Sequence, residues 1–444
     1  MEESGLARLI TCLLTIFGAL LWSLGMAGIF FPVTEISVVL TWCLGIYVFF
    51  AIPRTGWHTR ILLLVLAIAT VTLATLYDRW DAIPRGMAKA SIFPAFLATI
   101  VLLRATAEQR PEIIAARRLF AAIDNREQSG GIIVGSHLIG SILQVGVFAI
   151  LAPILGRDAT HEERRRIFLL AMRGMAMVPM WSPFVVGMAV ATEYLPEVPL
   201  WQIMALGLSL VLVGMLLSVT AFDRSGGPGA IWRALKTLVP VVPPVAIAAL
   251  LVIGMTTTTS YSTLQSLIIV MPIPCLLAIV PSGNVAISLR GTARGLSKIG
   301  SEISILTFAM TLGIMFQTCL PDLGLLKGLQ ALALTPTAII FIVIMSMNII
   351  GLMGVHSIVT GTILLVLFTG IPTGVADLVL LQALLVGWGL CTAMSVGSLS
   401  IATGAAMFRL APTSAISLSN ILYVFVASTI FGTILSALNS FIAA

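Results

Sequence analysis

The polar side chains that could do chemistry here stand inside long apolar runs. His356, Ser357 and Thr360 lie within GVHSIVTG, residues 354–361. Trp181, Ser182 and Pro183 interrupt IFLLAMRGMAMVPMWSPFVVGMAV, and Gly397, Ser398, Ser400 and Thr403 interrupt AMSVGSLSIATGAAM. Gln144, Val145 and Gly146 interrupt GGIIVGSHLIGSILQVGVFAILAPILG. Proline and glycine weaken helix continuity. A helix broken at membrane depth offers N–H groups to an anion at one half and C=O groups to a cation at the other. Hydroxyl oxygens are neutral ligands that suit Na⁺ or orient a polar solute. The expected solute-binding set is therefore Gln144, Gly146, Trp181, Ser182, Pro183, His356, Ser357, Thr360, Ser398, Ser400 and Thr403. Val145, Ser182, Thr360 and Gly397 are the expected ion ligands, through backbone or hydroxyl oxygen. His356, and His137 at the corresponding place, are the residues suited to handle a proton. A plainer reading stands beside each: membrane Ser and Thr commonly bond their own backbone or a neighbouring helix, and Trp181 and Trp388 serve packing.

Other chemistries find less support. Ser357 beside His356 lacks a third partner, so no catalytic residue and no enzyme activity are expected. There is no GxxxxGK[ST] motif for nucleotide-driven pumping. Cys12, Cys43, Cys275, Cys319 and Cys391 lie far apart without a CxxC, which predicts free thiols and neither a metal site nor a disulfide frame. The acidic residues gather near segment ends; Asp377 and Glu302 come closest to apolar sequence. A site without buried charge is expected.

Re-entrant elements are needed to position these groups, and the charge pattern predicts them. Arg104, Arg110, Arg117, Arg118 and Arg126 precede residues 130–156, and Arg157, Arg164, Arg165 and Arg166 follow them. Arginine-rich flanks tend to stay cytoplasmic, which puts both on one side. About 27 uncharged residues are too few for two crossings of about 20 each, so a hairpin that dips in and returns is expected. Such backbone is tolerated only inside protein or against a water-filled cavity.

The composition agrees. Of 444 residues, 59% are hydrophobic and 9% charged, and the mean hydropathy is +1.10, a balance outside the soluble range. Apolar runs at 9–31, 36–52, 61–76, 203–219, 245–254, 303–315, 338–353 and 421–438 predict a multi-pass, all-α membrane protein with about ten to twelve spanning or re-entrant segments. The net charge of +6 fits cytoplasmic loops facing anionic lipid, with no nucleic-acid partner. The first apolar run reads as an uncleaved helix.

The two halves correspond weakly. Gly135-Ser136-His137 matches Gly354-Val355-His356, Pro153 matches Pro372 at the same offset, and Ser182 stands opposite Ser400. The second unit carries one basic residue, Lys327, between Asp322 and Asp377, so its hairpin is expected to enter from the opposite side. This predicts an inverted-topology repeat with two re-entrant helical hairpins and two unwound helices, whose site lies near the midplane. The first repeat spans 1–222, with scaffold helices at 1–103 and hairpin plus broken helix at 104–222. A linker at 223–235, opening DRSGGPG, leads to the second repeat at 236–444, with scaffold at 236–318 and hairpin plus broken helix at 319–444.

At these residues the chain resembles the ion transporter superfamily, nearest in layout to the divalent anion/sodium symporter, citrate and arsenite transporter branches. IFLLAMRGMAMVPMWSPFVVGMAV and LVLLQALLVGWGLCTAMSVGSLSIATGAAM resemble its two unwound loops. LQVGVFAILAPIL and GVHSIVTGTILLVLF resemble the return arms of its hairpins. LRATAEQRPEIIAARRLFAA and CLPDLGLLKGL resemble the arm helices before each hairpin. The symporter branch's Ser-Asn-Thr tip signature is absent; the tips carry Gln144-Val145-Gly146 and His356–Thr360 instead. The resemblance implies an elevator-type secondary transporter, a homodimer in a bacterial inner membrane. Its expected cargo is a small organic anion driven by Na⁺ or H⁺, without a cofactor. A cation/proton antiporter or an inorganic oxyanion exporter of the same superfamily is the alternative. A membrane-embedded enzyme or non-transporting receptor is the alternative of another class.

Overall fold

A computed structural model describes residues 5–111, 113, 115, 128–155, 158–223, 227–395 and 397–442. Gly156, Arg117, Arg118, Arg126, Arg157, Val396, arm residues 112, 114 and 116–122, and linker residues 224–226 lie outside the described residues. Among the described residues there is no strand. Among the described residues, nine helical stretches are long and apolar enough to cross a membrane, and four more apolar helices are shorter. The chain is an all-α polytopic membrane protein. Helix is what such sequence must form, because lipid offers no partner for a free N–H or C=O.

The early helices are α1 (Gly5–Phe30), α2 (Thr34–Ala51), α3 (Trp57–Tyr77), α4 (Ala82–Ala90) and α5 (Phe93–Ala107). Then come α6 (Gln128–Leu143), α7 (Val147–Leu151), α8 (His161–Ala176), α9 (Val186–Tyr194), α10 (Leu200–Leu217), α11 (Gly227–Leu238) and α12 (Val242–Thr258). Next are α13 (Thr263–Val270), α14 (Pro272–Ser282), α15 (Val285–Leu296), α16 (Gly300–Cys319) and α17 (Leu325–Ala331). The last are α18 (Pro336–Leu352), α19 (Ser357–Thr369), α20 (Asp377–Thr392), α21 (Leu399–Phe408) and α22 (Leu418–Ile442).

Two compact units emerge, each drawn from both halves of the chain. One comprises Met1–Thr106, Leu264–Ala333 and Val366–Ile371; the other comprises Ala107–Thr263, Leu334–Leu365 and Pro372–Ala444. In the first unit α16 packs on α2, α3 and α4. Gly86 permits this: a Cβ there would stand 2.5 Å from Thr311 Cα. Tyr47 donates to the Leu296 carbonyl at 3.2 Å, and Arg79 pairs with Asp322 at 3.2 Å. Its outer helices leave large apolar side chains uncovered, with Trp42 71% and Phe49 72% exposed.

The second unit is organised around α20, whose residues from Val379 to Cys391 are all buried. It packs against α18, α22, α8, α9 and α10. The run read as a flexible linker departs from expectation, because helix α11 begins at Gly227. The reason is packing: α11 lies on α6, where a Cβ on Gly130 would stand 2.7 Å from the Ala230 Cβ.

Candidate functional site

All the expected site residues fall in the second unit. The first interruption breaks α6 from α7 at Gln144, a non-glycine residue with φ +50°. Residues 144–146 form one short 3-10 turn, and α7 contacts α6 across it. Gln144, Val145 and Gly146 are half-buried. The Gln144 amide donates to the Phe184 carbonyl at 2.7 Å and so joins the tip to the next interruption.

That interruption lies between α8 and α9, where Pro179 and Pro183 cannot donate to a helix ladder. Its side chains are tied down. Trp181 Nε1 donates to His137 Nε2 at 2.9 Å, and His137 Nδ1 lies 3.1 Å from the Gly174 carbonyl. Ser182 Oγ donates to the Ser141 carbonyl at 3.0 Å and accepts from Phe184 N at 3.3 Å. Pro183 is buried beside them. Gln382 of α20 donates to the Met180 carbonyl at 3.0 Å. Neighbouring helices come close through glycine: a Cβ on Gly207 would stand 1.9 Å from the Met180 carbonyl oxygen, and one on Gly389 2.1 Å from that of Ala176.

The second tip turns at Gly354, φ +89°, between α18 and α19. His356 Nδ1 accepts from Ile358 N at 3.2 Å, so the ring caps the start of α19. His356 is half-buried; Ser357 and Thr360 are buried one turn on. The second broken helix stops at Thr392 and resumes at Leu399. Ser398 caps α21, accepting from Ile401 N at 3.1 Å and donating to the Thr392 carbonyl at 3.1 Å. Gly397 is exposed and faces the second tip: a Cβ there would stand 2.5 Å from the Gly354 carbonyl oxygen. Ser400 and Thr403 are half-buried in the first turns of α21.

The two systems touch. Helix α21 packs on α7, α8 and the Gln144–Gly146 turn, and Gly404 is its contact point with Phe148 and Phe168. No hydrogen bond joins Ser357, Thr360, Ser400 or Thr403 to the first break among the described residues. Trp388 is a packing residue, held between Gly187 and Gly361, where a Cβ would stand 3.0 and 2.8 Å from its ring. Two cavities, of about 710 and 340 Å³, lie in the first unit beside α2 and α4, and neither includes an expected site residue.

Several residues escaped sequence reasoning. Among the described residues, Ser395 Oγ is buried at the second break without a hydrogen-bond partner, as are Thr362 Oγ1 and Gln382 Oε1. A buried polar atom left unmatched is costly, and an ordered water is the usual way to match it. A carboxylate reaches the first tip: Glu108 Oε1 lies 3.8 Å from the position of a Gly146 Cβ. The expectation of no buried charge fails at Arg173, which is 3% exposed in the last turn of α8. Its Nε donates to Asn420 Oδ1 at 3.1 Å and its Nη2 to Ser419 Oγ at 2.9 Å. The guanidinium also lies over the Phe222 and Tyr423 rings, at 5.3 and 5.1 Å. Those partners neutralise nothing, but they replace the lost hydration, which is why an arginine survives in the buried, apolar C-terminal part of α8. Asn420 also donates to the Ala393 carbonyl at 2.8 Å, so the chain of bonds runs from α8 to the second break.

No protein-family model matches the chain, and no curated protein matches it either.

Proposed function

We propose that the protein is a secondary transporter that carries a small organic anion across the membrane, coupled to Na⁺ or H⁺. The observation that carries this reading is the meeting of two helix breaks and two helix turns in one unit of a membrane protein. Irregular backbone at membrane depth is expensive unless it lines a polar path, and discontinuous helices are how carriers build midplane sites. The starts of α19 and α21 supply N–H groups for a carboxylate. The unmatched Ser395 hydroxyl and the Gly354 carbonyl supply oxygens for a cation or a polar solute group. On this reading the halves form an inverted repeat, the second unit moves as an elevator against the first, and the carrier is a homodimer in a bacterial inner membrane, akin to the ion transporter superfamily.

The Glu108 carboxylate at the first tip favours one other reading, a cation/proton antiporter, since an acid there attracts a cation and repels an anion. Thermal unfolding of the purified protein, with organic acids or inorganic cations and with and without Na⁺, separates the two. A ligand at 100 times its Kd stabilises the folded state by about 2.7 kcal/mol. Stabilisation by an organic acid supports the anion carrier; stabilisation by cations alone supports the antiporter. No stabilisation by any of them opposes both.

A further inference from the structure

We propose that His137 is a proton-binding site that latches the first helix break through Trp181. An indole N–H only donates, so His137 Nε2, 2.9 Å from Trp181 Nε1, must be the bare, accepting nitrogen. The neutral ring then carries its hydrogen on Nδ1, which donates to the Gly174 carbonyl at 3.1 Å. Both ring nitrogens are thus committed, and the arrangement admits only the neutral form. A proton taken from water onto Nε2 turns the acceptor into a donor that faces another donor. The Trp181–His137 bond must then break, while the Nδ1–H bond to Gly174 survives. Trp181 opens the break at 181–185, and the next residue, Ser182, holds the hairpin through the Ser141 carbonyl. Release of Trp181 therefore frees the joint between the first hairpin and the first broken helix.

Among the described residues, the ring bonds the Gly174 carbonyl and Trp181 and no ionisable group. Helices α7 and α12 and the turns at Gln144–Gly146 and Val178–Met180 carry no titratable side chain. On α8, Arg173 turns to Asn420 and Ser419. Arg166 of α8 bonds Ser129 and Asp223 about two turns of α6 away from His137. On α11, Lys236 lies over Trp232, and Arg233 sits beside Gly229. His137 is 2% and Trp181 5% exposed, so a proton arrives only as the break opens. Protonation and opening are then one event, which falling pH favours. His356, at the matching position, accepts from its own helix and lacks this linkage. If the carrier reading holds, on which this step rests, H⁺ is the coupling ion at the first break.

The test is NMR on the full chain labelled with ¹⁵N at indole and imidazole nitrogens. Loss of a peak in Trp181→Phe assigns the indole. His58→Gln and His161→Gln, both exposed positions, leave two of the four histidines, which Trp181→Phe separates. As the pH falls from about 8.5 to well below the ordinary histidine value of about 6.5, as a closed latch that admits only the neutral ring requires, the Trp181 N–H should lose its hydrogen-bonded shift as His137 Nε2 gains a proton. The indole in His137→Gln should not move. An indole that stays put in the wild type, or moves equally in His137→Gln, overturns the proposal. Should that variant not fold, the His137 Nε2 signal of the wild type decides alone: no change from bare to protonated nitrogen overturns it. Proteoliposome flux then tests coupling separately. Loss of the pH dependence of flux in His137→Gln supports H⁺ coupling here, and an unchanged profile refutes it. Absent wild-type flux with an intact NMR titration would sink the carrier reading and leave the latch standing.

Discussion

The two helix breaks of the second unit are held by different means. The first, between α8 and α9, is sewn by side chains: Trp181 to His137, Ser182 to Ser141, Gln144 to Phe184 and Gln382 to Met180. The second, between α20 and α21, is tied by the Ser398 cap and the Asn420 bond to Ala393, and it meets the second tip backbone to backbone at Gly397. It leaves Ser395 Oγ bare. The contrast is one of degree, since Gln382, a tie of the first break, also keeps a buried amide oxygen unmatched. Under the proposed carrier reading, the first break would serve as a latch and the second would meet the solute.

The largest expected effect is steric. Gly207→Ala and Gly389→Ala drive a methyl into backbone at 1.9 and 2.1 Å around the first break, and should each cost about 3 kcal/mol, seen as a clear fall in Tm in detergent. Gly397→Ala, in the exposed second break, should cost less stability and more ligand affinity. Equal losses of stability at Gly389 and Gly397 would erase the contrast.

Hydrogen-bond deletions come next. Trp181→Phe leaves the His137 acceptor unmatched and should cost about 1–3 kcal/mol of stability. His356→Ala removes only a local cap and should cost about 1 kcal/mol, with loss of solute affinity if the ring also touches cargo. The smallest stability change is expected for Ser395→Ala, within about 0.5 kcal/mol, because no bond is lost. Its ligand-induced thermal shift should nevertheless shrink. A Ser395→Ala protein that is markedly less stable, yet binds normally, would make the hydroxyl structural.

Much of this was legible in the sequence, for identifiable reasons. Apolar runs name the membrane helices because lipid imposes length and composition. Pro183 and Gly397 announce breaks through backbone chemistry alone, and helix is absent at both. Pairings across the fold were not legible. Arg173 meets Asn420 across 247 positions, and Gln382 meets Met180 across 202. Helix α20 is apolar almost all round, and the charges of α8 gather in its first two turns, so no periodic polar face reveals that Gln382 or Arg173 turns inward. Nor could sequence give His137 its role: it lies earlier in its segment than His356 does, and its bond to a tryptophan from another segment shows only in the fold.

Transport itself is the central claim, and uptake into proteoliposomes tests it most directly. The wild type and Gly397→Val would be compared with imposed Na⁺ or pH gradients and a panel of labelled organic acids. Gly254→Val, at a position where an added Cβ meets nothing within 4 Å, is the control. The account predicts gradient-driven uptake by the wild type and the control, and none by Gly397→Val, which closes the second break against Gly354. Uptake by Gly397→Val equal to the wild type, or no wild-type uptake under either gradient, would contradict it.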